Sequence, residues 1–548
     1  MADAPAPADP APAAPRGGLA IAAAIVAFGF IGSRLLGIVR EAAIANAFGV
    51  TPDLDPYFVA FRVPDFIFQV LAGATLGSAF IPVFARLYKN DGAEAAWKLA
   101  SRVMNLVAVG TAALCVVAFL AAPLLIDLIA PGLGEAIGQP DEQKSEAVKL
   151  TRIMLLCPLF FSVSGIMTGI LNGRQQFFLP ALSPMLYNLA IIFGAVVLAD
   201  RWGVTGLAIG VVAGSALHML VQVPGLFREK MRYEPAITWA DSAVQEVARL
   251  MGPRVIGLAA AQVNFFVTIY FASRVGDTAI TANNFAWLLA GLPLALFGMA
   301  LSTAAFPRLA EHAADADLDA LRETISRVLR LIMFLTIPAA LGLAILREPA
   351  TIILFERGEF SREASLVVAG ALGWYCLGIV PQAGIEIHSR GFYALGDTKT
   401  PVILAVLAVA VNLTLASLLW ESRGIEGLAI AVSVAAWVEW LLLYSLYARR
   451  TASPVVSDLT AIAMMTFCGA IMAVLLASLL SILETASWFD NLLVGAAGAT
   501  AGLAIYAAMS NWMGIEELRQ AVSRVRGRLR PTREASAGNE LPEGTADR

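Results

Sequence analysis

The sequence predicts an all-α polytopic membrane protein with about fourteen transmembrane helices. Of its 548 residues, 58% are hydrophobic and 15% are charged, and the mean hydropathy is +0.74. Soluble domains carry about 25% charged residues. Apolar runs of about 20 residues recur from end to end, and each is long enough to cross a hydrocarbon core roughly 30 Å thick. These runs leave no room for a sizeable soluble domain.

The apolar runs define the predicted spans in chain order. Their centres lie near Ala27, Gln69, Val116, Phe161, Ile192, Val212, Phe265, Leu294, Thr336, Ile379, Val411, Val434, Val474 and Thr500. With these spans, most of the 38 lysine and arginine residues lie in segments on the same side of the membrane as the amino terminus. Because basic residues favour cytoplasmic loops, we expect both termini to be cytoplasmic.

An internal repeat with a period of about 221 residues relates two parts of the chain. Residues 32–37 (GSRLLG) recur as residues 252–257 (GPRVIG), and residues 206–209 (GLAI) recur as residues 427–430. Parallel repeats of this kind place a substrate site between the two halves of a transporter. The repeat predicts two six-helix lobes in parallel pseudo-repeat around a central cavity, plus two C-terminal helices.

The repeat and the composition also predict the domain boundaries. They are a disordered N-terminal tail (1–17), an N-lobe of spans 1–6 (18–230), a C-lobe of spans 7–12 (231–450), two extra spans (451–513) and a cytoplasmic Arg-rich amphipathic helix with a tail (514–548).

Charged residues interrupt the first span at Arg34, Arg40 and Glu41. An ionisable side chain at bilayer depth costs at least about 2.5 kcal/mol, so such residues usually face a water-filled cavity and serve a function. Helical geometry puts Arg34 and Glu41 on one face and Arg40 roughly 120° away. We interpret this helix as one wall of the path of an anionic cargo.

The second span carries Asp55 and Arg62, which are seven residues apart and share a helical face. They are candidates for the same binding site. The alternative is that these charges and those of the first span neutralise one another as packing interactions.

Four residues are candidates for a cavity in the second lobe. Arg254 is the repeat counterpart of Arg34. Glu386 and Arg390 are four residues apart, a spacing that favours an ion pair within one helix. Asn264, like Asn412, is a single polar residue in an apolar helix, where an interhelical hydrogen bond is the commoner role.

Covalent catalysis and metal binding find no support in the sequence. The four cysteines lie singly in apolar spans, the three histidines are isolated, and no Walker loop, zinc spacing or Ser/His/Asp set is present. We therefore expect a transporter rather than an enzyme, with no cofactor, no metal site and no nucleic-acid partner.

Four longer motifs resemble signatures of the MurJ/MviN lipid II flippases, in the multidrug/oligosaccharidyl-lipid/polysaccharide exporter superfamily. They are residues 32–41 (GSRLLGIVRE), 55–64 (DPYFVAFRVP), 354–360 (LFERGEF) and 391–401 (GFYALGDTKTP). The resemblance implies movement of an undecaprenyl-pyrophosphate-linked peptidoglycan precursor from the inner to the outer leaflet of the bacterial cytoplasmic membrane. It also implies substrate-binding roles for the family's charged positions, which fall on Arg34, Arg40, Glu41, Asp55 and Arg62.

The chain departs from the family pattern at several places, two of which concern the second lobe. Trp287 and Leu288 stand where the resemblance implies a cavity arginine, and Asn412 is followed one turn later by Ala416 instead of the carboxylate of a sodium site. The coupling ion, Na⁺ or H⁺, is left open. The alternatives to lipid II transport are a flippase for another polyprenyl-linked saccharide, a cation-coupled drug exporter, and an inactive scaffold for the cell-wall synthesis machinery.

Overall fold

The computed structural model describes residues 16–75, 79–452, 455–483 and 487–520, together with Ser523. Side chains are described from Ile25 onward, except at 72–75, 252–254, 256–258, 260–261 and 455. The predicted tail before Arg16 and most of the predicted C-terminal helix and tail lie outside the described residues.

All the regular elements in these ranges are helices, as predicted. They are α1 (Arg16–Phe48), α2 (Asp55–Thr75), α3 (Ile81–Asn90), α4 (Gly92–Ile129), α5 (Pro140–Met154), α6 (Leu156–Gly173), α7 (Phe178–Phe193), α8 (Ala199–Leu220), α9 (Val223–Arg228), α10 (Ser242–Val275), α11 (Ala279–Pro293), α12 (Ala300–Ala314), α13 (Leu318–Ile345), α14 (Arg347–Phe355), α15 (Arg362–Ala394), α16 (Lys399–Thr451), α17 (Val455–Leu480) and α18 (Trp488–Trp512). Two π-helical segments, Gly194–Leu198 and Leu294–Met299, join α7 to α8 and α11 to α12.

Nine helical stretches in the described part of the chain are long and apolar enough to cross a membrane. Two of them, Phe178–Arg228 and Lys399–Thr451, have 51 and 53 residues and each cover two predicted spans. Predicted spans also fall on α1, α2 and α10, which are helical but are not among the nine. The all-α membrane fold is therefore confirmed, and the number fourteen stays a prediction.

The backbone confirms the predicted repeat at matching glycines. Gly203 has φ 54° and ψ −140°, and Gly424, one repeat period later, has φ 55° and ψ −136°. Only glycine adopts a positive φ readily, so each breaks a long apolar helix in the same way. Three residues after each kink the chain packs closely: a Cβ at Gly206 would lie 2.5 Å from Leu198 O, and one at Gly427 would lie 2.6 Å from Leu419 O.

One compact unit comprises residues 1–291, 347–378 and 398–442. Within it α1 packs on α7, α7 on α8, and α2 against α4, α5, α6 and α10. Buried aromatic side chains pack with α6 and the start of α10; they include Phe80 just before α3, Phe84 of α3 and Trp97 of α4. This packing surrounds α2 with other helices, so its polar side chains must find partners inside the protein.

A second unit comprises residues 292–346, 379–397 and 443–548. Within it α13 contacts α12, α17 and α18. The buried Asp458 accepts a hydrogen bond from Arg330 Nε at 2.8 Å and another from Ser326. The two extra C-terminal helices are thus anchored to α13. Since these units are defined by packing and the predicted lobes by the repeat, the boundaries 18–230 and 231–450 stay a prediction.

Candidate functional site

Helix α1 presents a glycine face to α7. A Cβ at Gly29 would lie 2.5 Å from the Ala181 Cβ, and one at Gly32 would lie 2.9 Å from the Met185 Cε. Small residues let two helices approach this closely in a membrane. On the same face Asn188 of α7 donates a hydrogen bond to Ser33 O at 3.2 Å.

Arg40 lies at this α1–α7 contact. Its Nε donates to Glu41 Oε1 at 3.1 Å, its Nη2 donates to the same oxygen, and its Nη1 donates to Asn188 Oδ1 at 3.1 Å. The Arg40 side chain is 25% exposed and the Glu41 side chain only 7%. The guanidinium therefore has two partners, and its charge is largely compensated within the protein.

Glu41 pairs with Arg40, and not with Arg34 as the shared helical face suggested. The long arginine side chain reaches its sequence neighbour, whereas Arg34 lies about two turns away. The second carboxylate oxygen of Glu41, Oε2, is buried and has no hydrogen-bond partner among the described residues. Only one of the two carboxylate oxygens of Glu41 therefore accepts a hydrogen bond from the described residues.

Arg34 does not lie on the glycine face that contacts α7, and it is exposed. Its guanidinium lies 5.4 Å from the centroid of the Phe30 ring. Within the described residues it forms neither an ion pair nor a hydrogen bond, so its charge is free for another partner.

Asp55 is buried, with 1% of its surface exposed, and it caps the N-terminus of α11. Its carboxylate accepts hydrogen bonds from Thr278 N at 3.0 Å, Thr281 N at 2.9 Å and Thr281 Oγ1 at 2.5 Å. The first backbone N–H groups of a helix have no partner within the helix, and a carboxylate satisfies them well. The alternative in which Asp55 neutralises Arg62 or the charges of α1 gains no support here, because both oxygens of Asp55 accept hydrogen bonds at the start of α11.

Arg62 lines a small cavity, about 30 Å³ in volume, between α2, α10, α11, α15 and α16. Its Nη2 donates to Asn284 Oδ1 at 3.3 Å, and its guanidinium lies 5.1 Å from the Phe265 ring centroid. The Nε atom is buried without a hydrogen-bond partner in the described part of the chain. Other polar or aromatic residues that line this Arg62 cavity are Asn264, Thr268, Asn283, Asn284, Trp287 and Tyr375.

The Arg62 cavity has several amide side chains and no carboxylate among its described lining residues, and the rest of that lining is mostly apolar. Asn283 is engaged by the hydroxyl of Tyr375, which donates to its Oδ1 at 2.8 Å. Asp65 follows Arg62 by three residues and hydrogen-bonds with Gln69. The environment thus combines a cationic donor with neutral amides, which suits an anionic group.

The second-lobe candidates lie in different places. Asn264 lines the Arg62 cavity and accepts from Asn412 Nδ2 at 2.6 Å, which is the interhelical hydrogen bond predicted for such residues. Glu386 and Arg390 form the predicted ion pair within α15, and Arg390 also donates to Thr303 Oγ1 at 2.9 Å. The side chain of Arg254 lies outside the described residues. Of the candidates whose side chains are described, only Asn264 lines the Arg62 cavity.

Sequence reasoning missed three polar residues that contact the arginines or the cavity. Asn188 bonds to Arg40, Asn284 bonds to Arg62, and Asn283 bonds to Tyr375. Each is an amide in an apolar helix, the same signal that singled out Asn264. In the described part of the chain no group of three or more His, Cys, Asp or Glu residues could hold a metal ion.

The chain matches the family model described as lipid II flippase MurJ over residues 44–497. It is 33% identical over 418 residues to the lipid II flippase MurJ of Burkholderia cenocepacia. The alignment covers 75% of this chain and 80% of that relative. A solved structure titled lipid II flippase MurJ, inward closed conformation, superposes with a TM-score of 0.75 at 26% identity, covering 91% of this chain and 99% of the other.

A multidrug resistance MATE family transporter, solved in an inward-facing conformation, also has a similar fold. Its TM-score is 0.64 at 16% identity, and the match covers 77% of this chain and 94% of that one. At this identity the likeness concerns the fold alone. The match to the family model, in contrast, covers most of the chain. The chain belongs to the lipid II flippase MurJ family.

Proposed function

We propose that this protein is a lipid II flippase. It moves the undecaprenyl-pyrophosphate-linked peptidoglycan precursor from the inner to the outer leaflet of the bacterial cytoplasmic membrane by alternating access. Membership of the MurJ family, the relatives named lipid II flippase MurJ and the fold shared with a MurJ structure support this function. It is a transporter and not an enzyme.

The observation that carries the proposal is the composition of the Arg62 cavity. Arg62 has an Nε without a partner in the described residues, and the described cavity lining consists of amides, two hydroxyls, aromatic rings and aliphatic side chains, without a carboxylate. A diphosphate needs cationic donors, and their attraction is strong where water is scarce. A cation exporter of the same fold would instead need acidic residues around its cargo.

The first-span arginines complete the proposed binding site. Arg34 has no ion pair among the described residues, so it adds a free positive charge. Arg40 is compensated by Glu41 and contributes less net charge. We assign the neutralisation of the diphosphate to Arg34, Arg40 and Arg62, with Glu41 tuning Arg40, and we assign Asp55 to holding α11.

Complementation of a flippase-depleted bacterial strain tests this function. Arg62→Ala and Arg34→Ala should fail to restore growth, whereas Arg152→Ala should restore it. Arg152 is a matched control because its guanidinium also stacks on a phenylalanine, at 4.8 Å from the Phe119 ring centroid, yet it does not line the Arg62 cavity. Rescue by the Arg62 and Arg34 variants at normal expression would overturn the assignment.

A second candidate function is transport of another polyprenyl-linked saccharide. Trp287 lines the Arg62 cavity at a position near which the family resemblance implies an arginine, so this cavity carries less positive charge than expected. Rescue of the depleted strain by the wild-type chain favours lipid II. Failure to rescue, together with transport of a different lipid-linked saccharide in vesicles, would favour the second candidate.

We also propose that both termini are cytoplasmic and that residues 18–230 and 231–450 are the two moving lobes. The distribution of lysine and arginine and the repeated glycine kinks support these assignments. Enzymes that consume the exported precursor are the expected protein partners. Reporter fusions at each terminus test the orientation, and a periplasmic signal from either would contradict it.

A further inference from the structure

A strap joins α9 to α10 and runs along α4. It comprises residues 227–241, which are the last two residues of α9 and the non-helical segment that follows. The side-chain amide of Asn105 donates hydrogen bonds to Glu234 O and Ala236 O, each at 3.0 Å. The hydroxyl of Ser101, one turn earlier on α4, accepts from Glu234 N at 3.1 Å. Side chains of α4 therefore hold the backbone of the strap in place.

The strap crosses α4 where this helix enters the hydrocarbon core. Asn105 lies eleven residues before Val116, the predicted centre of the span, which is about 16 Å along the helix axis. Half of the core is about 15 Å thick. At about 100° per residue, Val109, Val116 and Leu120 lie within about 60° of this asparagine, and all three are exposed apolar side chains. The strap therefore lies at the level of the lipid headgroups, next to a stripe of α4 that faces lipid.

The acidic side chains of the strap and of the first turns of α10 are all paired inside the protein. Each forms an ion pair with an arginine from an earlier part of the chain. The pairs are Glu229 with Arg174, Glu234 with Arg102, Asp241 with Arg102, and Glu246 with Arg86. These pairs fasten the strap to the protein, and they leave none of its carboxylates to neutralise other charges of the strap.

The basic side chains of the strap, in contrast, have no such partners. Arg228, Lys230 and Arg232 are exposed, and none of them forms an ion pair with a described residue. Glu94, whose charge interacts with that of Arg232, is itself paired with Lys98 at 2.8 Å. Three positive charges therefore lie close together at the surface without a neutralising carboxylate, an arrangement that attracts an anionic surface.

Large apolar and aromatic side chains of the strap are exposed beside these charges. Four of them are each at least 59% exposed: Phe227, Tyr233, Ile237 and Trp239. The hydroxyl of Tyr233 donates to Asn105 Oδ1 at 2.7 Å, so its ring is held against α4. Tyrosine and tryptophan are enriched where a membrane meets water, because one part of the ring is apolar and another is polar. Aromatic and basic side chains together match an anionic membrane interface.

We propose that the strap binds anionic phospholipid headgroups of the cytoplasmic leaflet. Its three unpaired basic side chains contact the headgroups, while Tyr233, Ile237 and Trp239 enter the interface beside α4. The strap follows the six predicted spans of the N-lobe, so it lies on the same side as the amino terminus, which we propose to be cytoplasmic. Bound phospholipid fixes the connection between the two repeat halves to the membrane surface. This inference goes beyond the flippase function and requires no lipid-linked cargo.

A fluorescent probe on the strap tests this binding in the full-length protein. The four native cysteines are buried and Ile237 is exposed, so Ile237→Cys introduces a thiol that a bimane label can reach. The labelled protein in dodecyl maltoside micelles is titrated with phosphatidylglycerol, with phosphatidylcholine or with inorganic phosphate. The emission wavelength of the bimane reports whether the strap enters an apolar interface.

Two triple variants in the labelled background separate the strap from basic residues elsewhere. The strap variant is Arg228→Gln/Lys230→Gln/Arg232→Gln. The matched control is Lys89→Gln/Arg308→Gln/Arg449→Gln, which removes three exposed basic side chains outside the strap and changes the net charge by the same amount. Thermal unfolding without added lipid should be unchanged in the strap variant, because its three basic residues form no ion pair with a described residue.

We expect phosphatidylglycerol to shift the bimane emission to shorter wavelength, with roughly 100-fold weaker apparent affinity in the strap variant and wild-type affinity in the control. Added salt should weaken the response of the unsubstituted strap, which tests the charge without any variant. Equal responses to both lipids, an equal response to inorganic phosphate, or unchanged affinity in the strap variant would overturn the proposal. No response to either lipid would also overturn it and would favour a protein partner. Since transport is not measured, these outcomes leave the flippase function untouched.

Discussion

Arg40 and Arg62 occupy consecutive helices of the chain, yet their surroundings differ. Arg40 bonds to the carboxylate of Glu41 and to the amide of Asn188 at the close contact of α1 with α7. Arg62 bonds to Asn284 alone, lies over an aromatic ring and keeps a buried Nε without a partner in the described residues. Arginines inside one membrane protein can therefore serve different ends, one chiefly structural and the other available to an anion.

Removal of Arg40 should have the largest effect on stability. Arg40→Ala leaves the buried Glu41 carboxylate without its ion-pair partner, and breaking a buried pair in this way costs about 3 kcal/mol or more. Thermal unfolding in detergent measures the loss. The double variant Arg40→Ala/Glu41→Ala should recover part of it, and a double variant no more stable than the single one would contradict the pairing.

Removal of Arg62 should change transport more than stability. A hydrogen bond to a charged group contributes about 1.5 to 3 kcal/mol, so Arg62→Ala should slow lipid II transport by roughly 10- to 100-fold. Its unfolding temperature should fall less than that of Arg40→Ala, because the described hydrogen bond of Arg62 goes to an amide, Asn284, and not to a carboxylate. A loss of stability as large as that of Arg40→Ala would contradict the view that Arg40 is chiefly structural and Arg62 serves transport.

Asp55 extends the comparison to an acidic side chain that is fully bonded. Asp55→Ala removes the hydrogen-bond acceptor of two backbone N–H groups at the start of α11 and of the Thr281 hydroxyl. This loss should lower the free energy of unfolding by about 2 kcal/mol. Faster amide hydrogen exchange at the start of α11 measures the change. Asp277→Ala is the matched control: it removes an acceptor from Gly134 N at 2.9 Å and Ile137 N at 2.6 Å, and should leave α11 exchange slow. Unchanged exchange in Asp55→Ala would contradict the capping role.

The amide pair of Asn264 and Asn412 should have the smallest effect. Hydrogen bonds between helices in membranes contribute about 0.6 kcal/mol on average. Asn412→Leu should therefore cost little stability, and transport should fall only slightly, since Asn264 still lines the Arg62 cavity. Vesicle transport and thermal unfolding of the same preparation check both expectations. A loss of transport as large as that of Arg62→Ala would place Asn412 in the binding site.

Much of the architecture follows from the sequence because span length and repeated glycines are local properties. The similar kinks at Gly203 and Gly424 follow from glycine's access to positive φ, and the repeat could be detected without coordinates. The ion pair of Glu386 with Arg390 was predictable for the same reason, since helical geometry alone brings the two side chains together.

The sequence by itself determined which charged side chains enter the apolar helices, Arg34, Arg40, Glu41, Asp55 and Arg62 among them. Only the tertiary structure decided their partners. Asp55 bonds to a helix more than 200 residues away along the chain, and Arg62 bonds to Asn284 of that same helix. Such contacts depend on how α2 packs against α10 and α11. Helical periodicity assigns a residue to a face, but packing between distant helices determines what that face meets.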